Sequence, residues 1–389
     1  MATNTGTGCA TGRPTDHRNL DLAKLHNDVC FGRSNGMIIW QPRIGCWWQD
    51  RKWDGRGVGR YEEGSFADMY RSLGCSDRLY GFNECFKLND SPKIVRRAEK
   101  LDDYRTANIV ETPVGSVTQI NRRTDNSWAQ IVESEWVQTP DDMKVMTWIC
   151  GNSEWVWDQE LFDRLQSELG DLGAATMFMP RVNVQNLYID IMGVEAGVYA
   201  IYEWGSVLDD YFKVLHQNHM QMIDVINASP VDIINFGDNI HCTTLSPALY
   251  EEYVLPAYLE RCDKLHRAGK FVSSHWDGGV KSLLKYAKVS GLDGIEAITP
   301  QPQGDVTLEE IKDALGDEIF LLDGIPAIFF DKVFPAETLE ECAHKVIELF
   351  APKLILGISD EMSSMGDLER IRVVGKVVDN YNASIESKH

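Results

Sequence analysis

The chain has 389 residues, of which 43% are hydrophobic and 25% are charged. These are the proportions of an ordinary globular protein, and they exclude a mainly disordered chain or a coiled coil. Asp and Glu outnumber Lys and Arg by 59 to 38, a formal net charge of -21. This excess of negative charge disfavours binding to nucleic-acid phosphates or to a membrane of anionic lipid. The nine cysteines form no CxxC pair, as expected in a reducing compartment.

The N-terminal residues 1–18 are small and polar, and they predict a flexible tail with no secretory signal. No run of about 18 uncharged apolar residues follows, so no membrane-spanning segment is predicted. We therefore expect a cytoplasmic protein in which residues 19–389 form a single domain.

The first half of this domain mixes strand and helix patterns. Residues 37–40 (MIIW) predict a strand, and SFADMYRSLG (65–74) predicts a helix that ends at its glycine. Residues 106–124 alternate apolar and polar side chains around a Pro-Val-Gly turn, which predicts an inserted β-hairpin. Residues 145–149 fit either a strand or an early helix, whereas 175–179 fit a strand.

The second half alternates regularly between short apolar strands and helices. The five strands are predicted at 231–236, 270–275, 294–298, 319–324 and 354–359, and each is followed by a helical pattern, including one at 280–291. This alternation predicts a parallel sheet. With the three earlier segments the total is about eight strands, so we predict an α/β fold, a TIM (β/α)8 barrel with an N-terminal extension. A doubly wound open sheet is disfavoured because no glycine-rich phosphate loop is present.

Active sites of such barrels lie at the C-terminal ends of the strands. His275 and Asp277 follow one strand two positions apart, so their side chains are expected to point the same way. One imidazole and two carboxylates are typical of a catalytic zinc site with an open position. The third ligand is Asp360 or Glu361, with Glu361 preferred. A His–Asp hydrogen bond that braces the loop is the alternative.

Other polar or aromatic residues also follow predicted strands and are candidates for the same site. An arginine suits a carboxylate or phenolate, and indole rings stack on flat or cationic ligands. The catalytic candidates are Asp238, Asn239 and Glu296, and the substrate-binding candidates are Gln41, Arg43, Trp47, Trp48 and His241.

The stretch FGDNIHCTTLSPALYEEYVLPAYLERCDKLHRAGKFVSSHWDGGVKSLL (236–284) resembles the uroporphyrinogen decarboxylase superfamily. In that superfamily a strand ending in GDN, an SP..Y..YV.P helix and an H.CG strand follow in this order. The resemblance extends from about residue 20 to 385. It implies a TIM barrel and one of two activities, porphyrin decarboxylation or methyl transfer linked to a corrinoid or a thiol.

The chain departs from both branches at specific positions. The compact RQAGRY motif of the decarboxylases is replaced by WQPRIGCWWQ, in which only Arg43 remains. The thiol-methylating branch binds zinc through HxC and a later Cys, whereas this chain has Asp277 and, near the later position, Glu361. The resemblance therefore implies zinc-assisted transfer of a methyl group from a small methylated donor, such as an aromatic methyl ether, to the cob(I)alamin of a partner corrinoid protein.

Two other functions stay open from the sequence. They are a cofactor-free decarboxylase and a non-catalytic barrel that binds a ligand. The identities of the methyl donor and acceptor also stay open, and so does a homodimer as the oligomeric state.

Overall fold

A computed structural model describes residues 20–125 and 128–388. The predicted tail at 1–18 lies outside the described residues. The strands are, in chain order, β1 Ile39–Trp40, β2 Phe86–Asp90, β3 Val95–Lys100, β4 Arg105–Thr112, β5 Gly115–Arg123, β6 Gln130–Ser134, β7 Ser153–Trp157, β8 Thr176–Met179, β9 Ile233–Phe236, β10 Phe271–His275, β11 Gly294–Glu296, β12 Phe320–Pro326 and β13 Leu354–Ser359.

The helices alternate with these strands, most regularly after β8. They are α1 Leu22–Cys30, α2 Gly45–Trp53, α3 Phe66–Leu73, α4 Pro140–Gly151, α5 Gln159–Leu169, α6 Asn183–Asn186, α7 Val194–Glu203, α8 Ser206–Ala228, α9 Pro247–Leu249, α10 Leu255–His266, α11 Leu308–Leu315, α12 Ala336–Phe350 and α13 Leu368–Glu386. Three of them begin after a residue whose hydroxyl accepts a backbone N–H of the first turn: Ser65, Ser246 and Thr307.

The central sheet has seven parallel strands in the order β1-β13-β12-β11-β10-β9-β8. Strands β9, β10, β12 and β13 are buried at every position, as expected of strands covered by helices outside and packed side chains inside. The sheet curls into a TIM-like barrel, which confirms the predicted fold class.

The eighth position of the barrel is filled by an irregular segment, residues 75–78. The Ser76 amide donates to the Trp40 carbonyl of β1 at 2.9 Å, and the Asp77 amide donates to the Leu172 carbonyl, close to β8, at 3.0 Å. The segment therefore lies between the two edge strands of the sheet. The prediction that residues 145–149 add to the strand count is wrong, because they lie within α4; helix was the other reading of that stretch.

The predicted hairpin insertion is confirmed and is larger than expected. Strands β4 and β5 pair across the turn at residues 113–114, and β3 and β6 extend them to a four-stranded antiparallel sheet. This sheet packs on α4 through a small apolar cluster that includes Val110, Val117 and Val145. The insertion thus has its own minor core beside the barrel.

The connection between β10 and β11 differs from the helix predicted at 280–291. It contains a six-residue 3-10 helix at Leu284–Val289. The loop that carries Asp277 occupies the first part of this connection, which leaves little chain for a full α-helix. Within residues 20–125 and 128–388, the helices all fall short of the length or the apolar character needed to cross a bilayer.

Candidate functional site

His275 and Glu296 end neighbouring strands of the barrel at the same level. They are paired residues in the register of β10 and β11, and His275 Nδ1 lies 3.0 Å from Glu296 Oε2. Because a carboxylate only accepts, Nδ1 carries the proton and the lone pair is on Nε2. Burial, with the positive charges of Arg43, Arg78 and Arg181, lowers the pKa of His275 well below its usual value. His275 is therefore a neutral imidazole with Nε2 as its free nitrogen.

Glu296 is held by two further contacts at the floor of this site. Its side chain is fully buried, its Oε2 accepts from Asn235 Nδ2 at 3.1 Å, and its Oε1 forms an ion pair with Arg78. Arg78 in turn donates from Nε and Nη2 to Gln41 Oε1, at 3.2 and 3.0 Å. A buried polar network thus extends from Gln41 through Arg78 and Glu296 to His275, and it fixes the orientation of the imidazole.

Arg43 lies beside three carboxylates, one within β12 and two directly after β13. Its nitrogens are 3.9 Å from Asp323 Oδ2, 3.7 Å from Asp360 Oδ1 and 3.5 Å from Glu361 Oε1. Burial opposes the positive charge, but Tyr80 and these three acids raise the pKa of Arg43 above its usual value. Arg43 is therefore a permanent cation at this rim of the barrel.

Asp323 occupies an unusual position beneath Arg43. It is fully buried, and neither carboxylate oxygen has a hydrogen-bond partner among the described residues. Burial raises the pKa of Asp323, and its backbone has φ +80°, a strained value for a residue with a side chain. Gly357 on the neighbouring strand makes room, since a Cβ there would lie 2.3 Å from Asp323 Oδ1.

Asp277 is the partner that the sequence predicts for His275. Its Oδ2 lies 4.0 Å from His275 Nε2, and its Oδ1 is buried without a partner among the residues described. Burial and the nearby Asp360 carboxylate raise the pKa of Asp277. Two ligands of one zinc ion lie about 3.3 Å apart in tetrahedral geometry, so this pair fits with a small adjustment.

The predicted third ligand, Glu361, is engaged elsewhere. Besides the contact with Arg43 Nε, its Oε2 accepts from the Cys46 amide at 3.3 Å. Within residues 20–125 and 128–388, no group of three or more His, Cys, Asp or Glu side chains is close enough to hold a metal ion. The His275–Asp277 pair therefore fits a metal, whereas Glu361 does not complete the set in this arrangement. The three-ligand site stays a prediction.

A cavity of about 460 Å³ opens at this rim and includes the His275 side chain in its wall. Its size is that of a site for a small molecule. The lining residues come mainly from the loops after β1 and β8, from the segment after residue 78 and from the end of β9. They are Arg43, Tyr80, Asn83, Phe178, Met179, Pro180, Arg181, Asp190, Gly237, Asn239 and His275.

Of the other predicted site residues, Asn239 lines the cavity and Asp238 lies behind it. Asp238 is fully buried; its Oδ1 accepts from the Val182 amide at 2.7 Å and its Oδ2 accepts from the Tyr258 hydroxyl at 2.6 Å. One oxygen thus braces the loop after β8, and the other is held by α10. A catalytic role for Asp238 stays a prediction, and the contacts support a positioning role.

The remaining substrate-binding candidates lie around the cavity or outside its wall. His241 Nε2 is 3.2 Å from Thr244 Oγ1, and Gln41 lies below the cavity in the network with Arg78. Trp47 and Trp48 are buried in α2: Trp47 Nε1 donates to the Gly366 carbonyl at 3.0 Å, and the Trp48 ring packs on Phe66. The two indoles therefore anchor α2 and do not form the cavity wall.

Several residues of the site are absent from the sequence-based prediction. Arg78 was missed because residues 75–78 lack the apolar pattern of a strand. Tyr80 and Asp190 lie in segments without a motif, whereas Phe178 and Arg181 lie in and just after the strand predicted at 175–179, where no motif marks a site. The position of Arg181, two residues after the strand pattern at 175–179, is the one feature that could have indicated it.

A neutral imidazole, buried arginines and carboxylates at the C-terminal rim of a parallel barrel indicate a barrel enzyme. The family model of uroporphyrinogen decarboxylase (URO-D) matches residues 190–376, a range that includes the loops of His275, Glu296, Asp323 and Glu361. This match confirms the resemblance predicted from the sequence. A search of curated protein sequences gives no significant match.

The solved structures similar to this chain include the following two. A methyltransferase from Methanosarcina mazei has a TM-score of 0.57 at 11% identity, with 94% of this chain and 99% of that chain covered. A B12-independent methionine synthase from a Shewanella species has a TM-score of 0.40 at 13% identity, with 91% and 96% covered. At such identities the first likeness supports the fold alone.

Proposed function

We propose that this protein is a methyltransferase that takes a methyl group from a small methylated donor and passes it to the cob(I)alamin of a corrinoid protein. The observation that carries the proposal is the neutral His275, whose free Nε2 lies beside the unpartnered Asp277 at the wall of a small-molecule cavity. The resemblance to the superfamily branch that performs this chemistry supports the proposal, as does the family match at 190–376.

The difficulty in demethylating an ether is the charge left on oxygen when the bond to the methyl carbon breaks. Arg43 is a buried cation at the cavity wall, so it can stabilise that charge where water is excluded. A phenolate is easier to expel than an alkoxide because its charge is delocalised, and the pKa of a phenol is near ~10. Aromatic methyl ethers therefore suit this site better than aliphatic ethers.

The metal part of the proposal concerns His275 and Asp277, with Glu361 as the third ligand once its contacts with Arg43 and the Cys46 amide are released. When bound there, zinc would act as a Lewis acid toward the donor oxygen. Glu296 would orient the imidazole of His275, since its carboxylate accepts from Nδ1–H and leaves Nε2 directed at the metal position. The network through Arg78 keeps Glu296 in place.

The test measures methylation of reduced cob(I)alamin by its visible spectrum, with methoxyphenol as donor and zinc in the buffer. We expect the His275→Gln variant to lose activity on the order of 100-fold, as for groups that orient or bind a catalytic ion. The matched control is His344→Gln, since His344 is exposed on α12 and its replacement should leave the rate unchanged.

Metal content is measured on the same preparations by elemental analysis. The wild-type protein should hold zinc, and His275→Gln, Asp277→Asn and Glu361→Gln should each hold less. Equal zinc in the Glu361→Gln variant would remove that residue from the ligand set. Absence of methyl transfer from ethers, amines and halomethanes alike, with a folded zinc-containing protein, would contradict the proposed function.

Cofactor-free decarboxylation is a second candidate, and one observation favours it. Arg43 and Arg181 both line the cavity, and arginine pairs are suited to binding carboxylates. This candidate expects carbon dioxide release from a polycarboxylate with no cobalamin present. Carbon dioxide release without a corrinoid would decide for it and against the methyltransferase.

A further inference from the structure

Arg181 is a fixed cation at the cavity wall on the side formed by the loop after β8. Its Nη1 lies 2.9 Å from Asp190 Oδ1, while its Nε is buried and has no hydrogen-bond partner among the described residues. A buried N–H donor without a partner is unfavourable by about 1–3 kcal/mol, so it is expected to meet an acceptor when a ligand binds.

Two chains of hydrogen bonds hold Arg181 in place. Asp190 also accepts from Asn186 Nδ2 at 3.0 Å, and Asn186 Oδ1 accepts from the buried Tyr211 hydroxyl at 2.5 Å. The backbone next to Arg181 is fixed by the bond from the Val182 amide to Asp238. An arginine so constrained loses little conformational entropy on binding an anion.

The wall beside Arg181 carries two aromatic side chains. The rings of Tyr80 and Phe178 lie 5.2 Å apart between centroids and are inclined at 35°, and Pro180 continues the same wall. Since these two rings pack on each other, a ligand ring would lie against their common surface instead of between them. Aromatic pairs of this kind favour planar ligands.

The charges of the two cavity arginines are compensated to different extents. Arg43 has three carboxylates within 4 Å, whereas Arg181 has Asp190 as its ion-pair partner. Arg181 is thus the better place for an added negative charge. Its guanidinium is balanced by a single carboxylate and keeps a buried Nε without a hydrogen-bond partner among the described residues.

We propose that the cavity binds a small aromatic carboxylate, with the carboxylate on Arg181 and the ring against Tyr80 and Phe178. This proposal rests on the proposed function in one respect, since it takes the cavity as the site of the methyl donor. The donor would then be a methoxylated benzoate, whose ether oxygen lies toward Arg43 and His275.

Binding is measured by titration calorimetry without any corrinoid, using four probes of similar size. They are 4-methoxybenzoate, its neutral amide, the cation 4-methoxybenzylammonium and the aliphatic anion methoxyacetate. We expect 4-methoxybenzoate to bind most tightly. The Arg181→Gln variant should weaken its binding about 10- to 100-fold, the range of a charge-assisted hydrogen bond, and leave the amide unaffected.

Two further variants separate the parts of the proposal. Arg164→Gln is the matched control, because Arg164 is an exposed residue of α5, and it should bind like the wild type. Phe178→Leu should weaken the benzoate and the amide alike, since both present the same ring. Thermal melts of each variant show whether the fold is retained.

Each alternative outcome overturns a stated part. Equal affinity for benzoate and amide removes the carboxylate contact, tighter binding of the ammonium reverses the sign of the ligand charge, and equal affinity for methoxyacetate removes the aromatic contact. Binding of 4-methoxybenzoate without methyl transfer would contradict the proposed function but not the aromatic carboxylate site. Methyl transfer from neutral donors, with no binding of 4-methoxybenzoate, would contradict the carboxylate site but not the proposed function.

Discussion

At the scale of single residues, the pair Arg78–Glu296 supports the whole site. Both side chains are buried, and Glu296 is the group that orients His275. Two charges removed from water are stable only while they compensate each other, so the loss of one partner is far more harmful than the loss of an exposed ion pair. The position of the imidazole therefore depends on Arg78, which is not among the residues that line the cavity.

We predict that Arg78→Met lowers the free energy of unfolding by about 3–5 kcal/mol, because it leaves Glu296 buried without its counter-charge. Urea unfolding followed by circular dichroism measures this change. The control is Arg96→Met, whose partner Asp90 is part of an exposed pair, with an expected loss of at most about 1 kcal/mol. The double variant Arg78→Met/Glu296→Gln should regain part of the loss. Similar losses for the two single variants would contradict the prediction.

The sequence predicts residues of this site only where they follow a recognisable strand. His275, Asp277, Glu296 and Arg43 were found in this way, and His275 does lie beside Asp277 and Glu296. Arg78 was not found because its role arises from contacts with the distant Gln41 and Glu296, and Arg181 was not found because no motif marks its pairing with Asp190. Spacing along the chain also gives no information about which groups a side chain contacts. It could therefore not show that Glu361 is held by Arg43 and Cys46.

At the scale of elements, the barrel closes through a segment that is not a regular strand. Residues 75–78 are buried and bond to Trp40 on one side and to Leu172 on the other. The chain at Gly173 approaches this segment so closely that a Cβ would lie 2.3 Å from the Asp77 carbonyl oxygen. The absence of a side chain at Gly173 is thus a condition for closure.

Replacement of Gly173 by alanine should therefore push the 75–78 segment outward. We expect a loss of about 1–3 kcal/mol in unfolding free energy, as for other overpacked sites, measured by chemical denaturation. Gly64→Ala is the matched control, since a Cβ there would be in ordinary contact at 3.6 Å from Asp68 Cβ. Equal midpoints for the two variants would show that the backbone at 173 can relax freely.

Elements with long apolar runs could be predicted from the sequence. Elements whose structure depends on contacts with other parts of the chain could not. The strands near 231–236, 270–275 and 354–359 were predicted to within about two residues because burial on both faces demands continuous apolar sequence. The 75–78 segment carries Ser76 and Arg78, whose side chains meet Gln41 and Glu296 only in the assembled barrel. Residues 145–149 are equally apolar in a helix or a strand, and packing on the inserted sheet decides for the helix.

At the scale of the whole molecule, two sheets of very different burial lie side by side. Strands β10, β12 and β13 are buried at every residue, whereas every residue of β3 is exposed. The inserted sheet depends on a small cluster against α4, while the barrel has the main core. The two parts are therefore expected to differ in local stability.

Hydrogen exchange read by mass spectrometry measures this difference directly. We predict that amides of β10, β12 and β13 exchange slowest and that those of β3 and β6 exchange at least about 100-fold faster, because their opening requires little loss of buried apolar area. The inner strand β4, with Ala107 and Val110 buried, serves as an internal comparison and should be intermediate. A single rate for both sheets would mean that they open together.

The closure of the barrel at residues 75–78 has a last consequence. The same four residues that complete the ring also deliver the guanidinium that neutralises Glu296. A local opening of this segment would separate Arg78 from Glu296. The hydrogen bond that fixes the tautomer of His275 would then be weakened. Closure of the barrel and the orientation of His275 therefore depend on the same segment. A mutation that loosens residues 75–78 is expected to disturb the site at this rim before the protein unfolds.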